Sequence, residues 1–146
     1  MTNNSGVEAI IILGHGSRVP GAAEGMEKTA ARLSETGRYA IVELCYMSKL
    51  GPHLPEAFGN CVRQGATKVL VMPYFLHTGL HLVLDIPEML QELAQQYPHV
   101  KLVLGKNLGY DDCLVDLVAK RIEESQDLCD VRELELPSEE DYPMPG

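Results

Sequence analysis

No stretch of this chain approaches the roughly 18 consecutive apolar residues that a membrane-spanning helix needs. Its first eight residues are largely polar, so no secretory signal is expected. Cysteine is sparse, and Cys45, Cys61, Cys113 and Cys129 form no C-x-x-C pair. That spacing argues against a zinc ribbon or a redox motif and for free thiols in a reducing compartment. Tryptophan is absent, which decides little. Basic residues are the minority, 12 Lys and Arg against 21 Asp and Glu. A nucleic-acid binder would show a basic face, so neither nucleic acid nor a membrane is expected as a partner. A soluble cytoplasmic protein is the reading these gaps leave.

The negative charge is concentrated. Residues 123–141 hold nine acidic side chains against one basic, Arg132, which leaves the body nearly neutral. With 146 residues the chain is long enough to bury a core without disulfides or structural metal. The expected organisation is one α/β domain over 1–126, with a flexible leader at 1–7, and an acidic tail over 127–146.

Along the domain, apolar runs alternate with helical spacing. Residues 8–13 predict a strand, and the consecutive Ile10, Ile11 and Ile12 suit a sheet covered on both faces. Residues 21–36 predict a helix with Met26, Ala30 and Leu33 on one side and Gly37 as its stop. Strands are expected over 39–46, 68–72 and 100–104, and a second helix over 54–64, closed by Gly65. A third helix is expected to start at Asp85, with Glu88 completing a capping box and Leu84 stapled to Met89, and to stop before Pro98. A fourth runs over 112–125 with Leu114, Leu117, Val118 and Ile122 on one face. Four β-α units in alternation imply a parallel sheet with helices on both faces. Right-handed crossovers favour the strand order 2-1-3-4.

Two stretches carry chemistry. Leu13-Gly-His-Gly-Ser-Arg18 leaves strand one, and Pro73-Tyr-Phe-Leu-His-Thr-Gly-Leu-His81 leaves strand three. Open α/β sheets bind ligands beyond the carboxyl ends of their strands. In the order 2-1-3-4 these loops open on one crevice, so His15 and His81 are expected to share one metal ion. Two neutral imidazoles suit Co²⁺, Ni²⁺, Fe²⁺ or Zn²⁺ and leave positions open, as a metal that is handed on requires. The alternatives are plain: His15 as a turn residue between two glycines, His81 as an ordinary loop side chain. His77 lies four residues before His81, the weak signal of a His-x-x-x-His site. His53 and His99 adjoin prolines and are expected at the surface. Gly14, Gly16 and Gly79 permit close backbone approach and expose amides to an anion. The first loop is no dinucleotide fingerprint, since Val19 stands where G-x-G-x-x-G needs glycine, and no phosphate loop, since the Lys-Ser/Thr pair is missing.

These two motifs at this separation resemble the class II chelatases, in the short CbiX-type form, over about residues 8–126. The resemblance implies a chelatase-like, half-flavodoxin-like fold. It implies insertion of a divalent metal into sirohydrochlorin, an anionic tetrapyrrole with eight carboxylates, as a sirohydrochlorin cobaltochelatase in cobalamin or sirohaem biosynthesis. Co²⁺ is the expected substrate metal, with Ni²⁺ or Fe²⁺ as alternatives, and neither ATP nor an organic cofactor is expected. The resemblance carries metal binding onto His15 and His81, and implies that short members pair as homodimers while longer ones hold two such domains. Many relatives place a glutamate after strand two; here Ser48 stands there, with Glu43 deeper on the strand.

The expected mechanism follows from the ring. Two pyrrole protons leave as the metal enters, and an imidazole is a base matched to neutral pH. Imidazoles bind metal only when unprotonated, so affinity is expected to fall with pH. Gly14, Gly16, Ser17, Arg18, Ser48 and Gly79 are the candidate substrate contacts, with Arg18 suited to a bidentate grip on a carboxylate. Two other functions compete. A non-catalytic metal or tetrapyrrole carrier is suggested by Ser48 in place of the acid. A histidine-type phosphohydrolase is disfavoured, because it would show Arg-His-Gly and Gly14 replaces the arginine.

Overall fold

The computed structural model describes residues 6–17, 19, 21–48 and 51–141, with the side chain of His81 outside the described part. Arg18 therefore lies outside the described residues. Strands and helices alternate: β1 (Glu8–Gly14), α1 (Glu24–Glu35), β2 (Ile41–Tyr46), α2 (Leu54–Arg63), β3 (Lys68–Pro73), α3 (Leu80–Gln96), β4 (Lys101–Leu104) and α4 (Asp112–Glu124). The sheet is parallel in the order β2-β1-β3-β4, as the crossover rule predicts.

β1 lies inside the sheet, with Ile11 opposite Glu43 of β2 and Val71 of β3. Both its faces meet other side chains, which is why its apolar run is unbroken. Ala9, Ile11 and Leu13 join one core layer with Leu54, Phe58 and Cys61 of α2 and Ile86, Leu90 and Leu93 of α3. Ile10 and Ile12 point the other way, onto Met26 and Ala30 of α1. α2 begins with a capping box: the His53 N–H donates to the Glu56 carboxylate at 2.9 Å, and His53 Nδ1 lies 3.1 Å from the Tyr46 carbonyl oxygen. His53 is thus exposed, as expected, but it also ties α2 to the end of β2. Beyond α4 the tail makes two 3-10 turns, Val131–Glu133 and Glu139–Asp141, and is exposed as far as residue 141.

α3 departs from expectation. It begins at Leu80 with Gly79 as its cap, so Asp85 does not cap it and Leu84 is not a staple residue. Pro87 lies in the helix interior, where its missing N–H and its ring cost about 3 kcal/mol. The helix continues because Leu82, Ile86, Leu90 and Leu93 form a face at spacings of four, four and three, and all four are buried. Burying each such side chain contributes about 1.5–3 kcal/mol, which outweighs the proline.

This register is testable by urea denaturation. Ile86→Ala removes a buried side chain and is expected to lower stability by about 2–5 kcal/mol. Leu84→Ala, at an exposed position, is expected to stay within about 0.5 kcal/mol. The reverse order would mean that the helix presents another face to the core.

Candidate functional site

The loops after three strands converge at the carboxyl edge of the sheet. The Gly14 carbonyl accepts from the Met47 N–H at 2.8 Å, which joins the exit of β1 to that of β2. The His15 carbonyl accepts from the Ser48 N–H at 3.1 Å and from the Ser48 hydroxyl at 3.4 Å. On the other side, the Tyr74 N–H donates to the Leu13 carbonyl at 2.7 Å. His15 therefore stands on a turn braced from both neighbouring strands.

Gly16 is needed for this packing, whereas Gly14 sits against a flexible side chain. Gly16 has φ +91°, and a Cβ there would collide with the Ser48 carbonyl; a Cβ on Gly14 would collide with the Met26 sulfur. Gly79 is different, for its φ is −80° and a Cβ would meet nothing within 4 Å. It is an exposed cap position, and the close approach expected of it is not found.

The His15 imidazole is exposed, and the Phe75 ring meets it edge-on with centroids 4.5 Å apart and planes at 61°. Such an arrangement orients an imidazole without using its nitrogens. Beside it opens a cleft of about 260 Å³, lined by Gly14, His15, Gly16, Ser17 and the side chains of Met26, Tyr46, Tyr74 and Phe75. Ser17 Oγ accepts from the Val19 N–H at 3.1 Å. Burial, then Glu27, then Cys45 push the Tyr46 phenol above its ordinary range, so it stays protonated and offers no anion to a metal.

His81 is in the first turn of α3, reached from β3 through the loop that carries Phe75; its side chain lies outside the described residues. His77 is exposed in the bend before α3, so the two do not share one helix. Ser48 serves as a brace for the His15 backbone. Glu43, deeper on the strand as expected, is engaged elsewhere. It pairs with Ile11 in mid-strand and accepts from Gln64 Nε2 at 3.1 Å, well below the mouth of the cleft. Among the described residues no three His, Cys, Asp or Glu side chains gather to hold a metal. The buried thiols contribute nothing there: burial, with Cys61 second, pushes Cys45 up to about 12, and burial, with Glu43 second, pushes Cys61 up to about 12.

Reading the sequence missed the aromatic lining and an apolar apron. Tyr74 and Phe75 directly follow Pro73, and their place at a strand end was the available signal. Leu76, Leu80, Val83 and Leu84 are exposed at the same edge of the sheet.

The fold is that of a small open α/β sheet, with a histidine at the carboxyl edge of its strands. Residues 9–125 match the CbiX family, and the chain belongs to that family. It is 32% identical over 119 residues to the sirohydrochlorin ferrochelatase of Priestia megaterium, covering 82% of this chain and 45% of that protein. It is 29% identical over 139 residues to the sirohydrochlorin cobaltochelatase of Methanocaldococcus jannaschii, covering 79% and 97%. Among solved structures it is similar to the sirohydrochlorin chelatase SirB from Bacillus subtilis subspecies spizizenii in complex with cobalt, at 31% identity and a TM-score of 0.75, covering 81% of this chain and 50% of that one. The chain thus spans about half the length of the Priestia protein and of SirB, and nearly all of the Methanocaldococcus one.

Gly16→Ala forces a side chain into a left-handed backbone and onto the Ser48 carbonyl. A loss of at least about 1–3 kcal/mol is expected, with weakened Co²⁺ binding in calorimetric titration. Gly79→Ala, at a cap position with open space around it, is expected to cost less than about 1 kcal/mol and to leave Co²⁺ binding unchanged. Equal tolerance at both positions would contradict the packing of the His15 turn.

Proposed function

We propose that this chain is a sirohydrochlorin chelatase that inserts a divalent metal, Co²⁺ first, and works as a homodimer. The observation that carries the reading is His15, exposed at the carboxyl end of β1 and held against Phe75 from the loop that leads to His81. His15 and His81 are proposed as the two metal ligands. Two imidazoles, with solvent in the remaining positions, bind an ion firmly enough to select it and loosely enough to release it. As pyrrole nitrogens replace the imidazoles, two pyrrole protons leave and a dication takes their place, so the charge of the ring is conserved. One freed imidazole takes a proton and solvent takes the other.

The flat ring has a matching surface. Leu76, Leu80, Val83 and Leu84 offer an apolar apron, while Ser17 and the glycine turn offer polar contacts at the edge. The first turn of α3 carries no acidic residue, so its N–H groups and positive helix end favour the substrate carboxylates. Neither the proton count nor the ligand exchange requires ATP. A relative matched along nearly its whole length is named a cobaltochelatase, which favours cobalt over iron. No helix among the described residues is long and apolar enough to cross a membrane. The cysteines are free, which suits a reducing compartment, and we place the enzyme in the cytoplasm. The homodimer is supported by α4, which carries an apolar face and no buried residue.

Mixing protein with excess sirohydrochlorin and Co²⁺, and following the absorption spectrum anaerobically, tests the reaction. Many rings metallated per chain are expected. One stoichiometric change would instead support a carrier. His15→Ala and His81→Ala are each expected to abolish insertion with the fold intact by circular dichroism, and His99→Ala, at an exposed position remote from the cleft, to be silent. Equal activity in all three variants would defeat the assignment.

A further inference from the structure

The loop that joins β3 to α3 leaves the sheet between two others and needs hydrogen-bond donors for its own carbonyls. Toward β1 the ladder stops at the Tyr74 N–H, and toward β4 it stops where the Gly105 N–H donates to the Val71 carbonyl at 2.8 Å. Phe75 follows at once and is buried, and a buried carbonyl left without a donor costs about as much as a lost hydrogen bond. The donors come from the exit of β4. The Leu108 N–H donates to the Phe75 carbonyl at 3.0 Å. Asn107 Nδ2 donates to the same carbonyl at 3.3 Å and to the Leu76 carbonyl at 3.4 Å.

A carboxamide suits that place because its nitrogen carries two hydrogens, one for each carbonyl. Turned round, its oxygen would face two other oxygens, so the hydrogen-bond network fixes which way the group points. Gly105 sets the reach. A Cβ there would stand 2.9 Å from Leu70 Cδ2 and 3.2 Å from the Val71 carbonyl oxygen, so glycine lets the exit of β4 lie this close to β3. The other side of the crevice is built alike, for Ser48 at the exit of β2 binds the backbone of His15. On each side an outer strand holds the loop of the inner one.

We propose that Asn107 is a positioning residue for the metal site. Through the Phe75 and Leu76 carbonyls it fixes the segment that sets the Phe75 ring edge-on to His15 and leads into the first turn of α3, where His81 stands. Its side chain is neutral and engaged with backbone, so it acts on the metal through the loop and not through charge. The proposal rests on His15 and His81 as the ligands and adds the residue that holds their spacing.

Asn107→Leu keeps the size of the side chain and removes both donors, while Asn107→Ala lets water reach the two carbonyls. Thr67→Val is the control: Thr67 clamps Val7 at the opposite, amino edge of the sheet, accepting from its N–H at 3.0 Å and donating to its carbonyl at 3.3 Å. Urea stability, Co²⁺ affinity by calorimetry and the visible ligand-field bands of bound Co²⁺ are measured for each. Asn107→Leu is expected to bind Co²⁺ about tenfold more weakly or worse, the scale on which residues that orient metal ligands act, and to shift the cobalt bands. Asn107→Ala is expected to do the same to a smaller extent. Thr67→Val is expected to lose stability yet keep the wild-type affinity and bands. Wild-type affinity and bands in folded Asn107→Leu would overturn the proposal. So would an equal loss of affinity in Thr67→Val, which would make the effect one of stability alone. Should Asn107→Leu not fold, Asn107→Ala decides by the same readings. If His15→Ala and His81→Ala leave Co²⁺ affinity unchanged, the metal site falls and the role of Asn107 with it. If they abolish binding while the Asn107 variants keep it, only the positioning role falls.

Discussion

The pairing of β1 with β3 carries the site. Seven and six residues of two apolar strands lie in register from Glu8 opposite Lys68 to Leu13 opposite Pro73, and the Tyr74 N–H extends that ladder by one bond to the Leu13 carbonyl. One residue later the two chains separate, and the first side chains free of the sheet are His15 and Phe75. Their contact follows from a ladder that both strands must keep to bury Ile11, Leu13, Val69 and Val71. A slip by one residue would turn every one of those side chains to the other face. The position of His15 is therefore fixed by the core beneath it, although the side chain itself is exposed.

The metal site proposed on His15 and His81 would suit an ion in transit. A site closed by three or four protein ligands stores a metal, whereas two imidazoles leave positions for solvent and then for pyrrole nitrogens. Ser48 fits the same logic. It binds the backbone of the His15 turn through its N–H and hydroxyl, and so stiffens the turn without adding a charge to the coordination shell. The glutamate in the middle of β2 is held by Gln64 instead, away from the mouth. At such a site selectivity among divalent metals would rest on few protein atoms, and relatives in the family are named for cobalt and for iron.

Much of the fold was legible in the chain. The isoleucine run of β1 and the alternation of strand and helix were enough for the order β2-β1-β3-β4, because crossover handedness leaves few other arrangements. The beginning of α3 was not legible. Asp85, Pro87 and Glu88 compose a good local start signal, and only tertiary burial of Leu82, Ile86 and Leu90 carries the helix through the proline. At the site, the His15 turn was visible from its glycines, since close packing leaves little choice of residue there. The Phe75 contact was not, because a ring's neighbour across a sheet depends on register rather than on any local pattern. Nor did the spacing of Leu114, Leu117, Val118 and Ile122 tell which surface that face meets; an amphipathic pattern announces burial without naming the partner.

The central claim is that His15 and His81 hold one metal ion together, and X-ray absorption of the Co²⁺-loaded protein measures it directly. Scattering from two imidazoles with the remaining shell filled by oxygen is predicted, with one imidazole lost in His15→Ala and one in His81→Ala. A wild-type spectrum without imidazole scattering, or one unchanged by either substitution, would contradict the account.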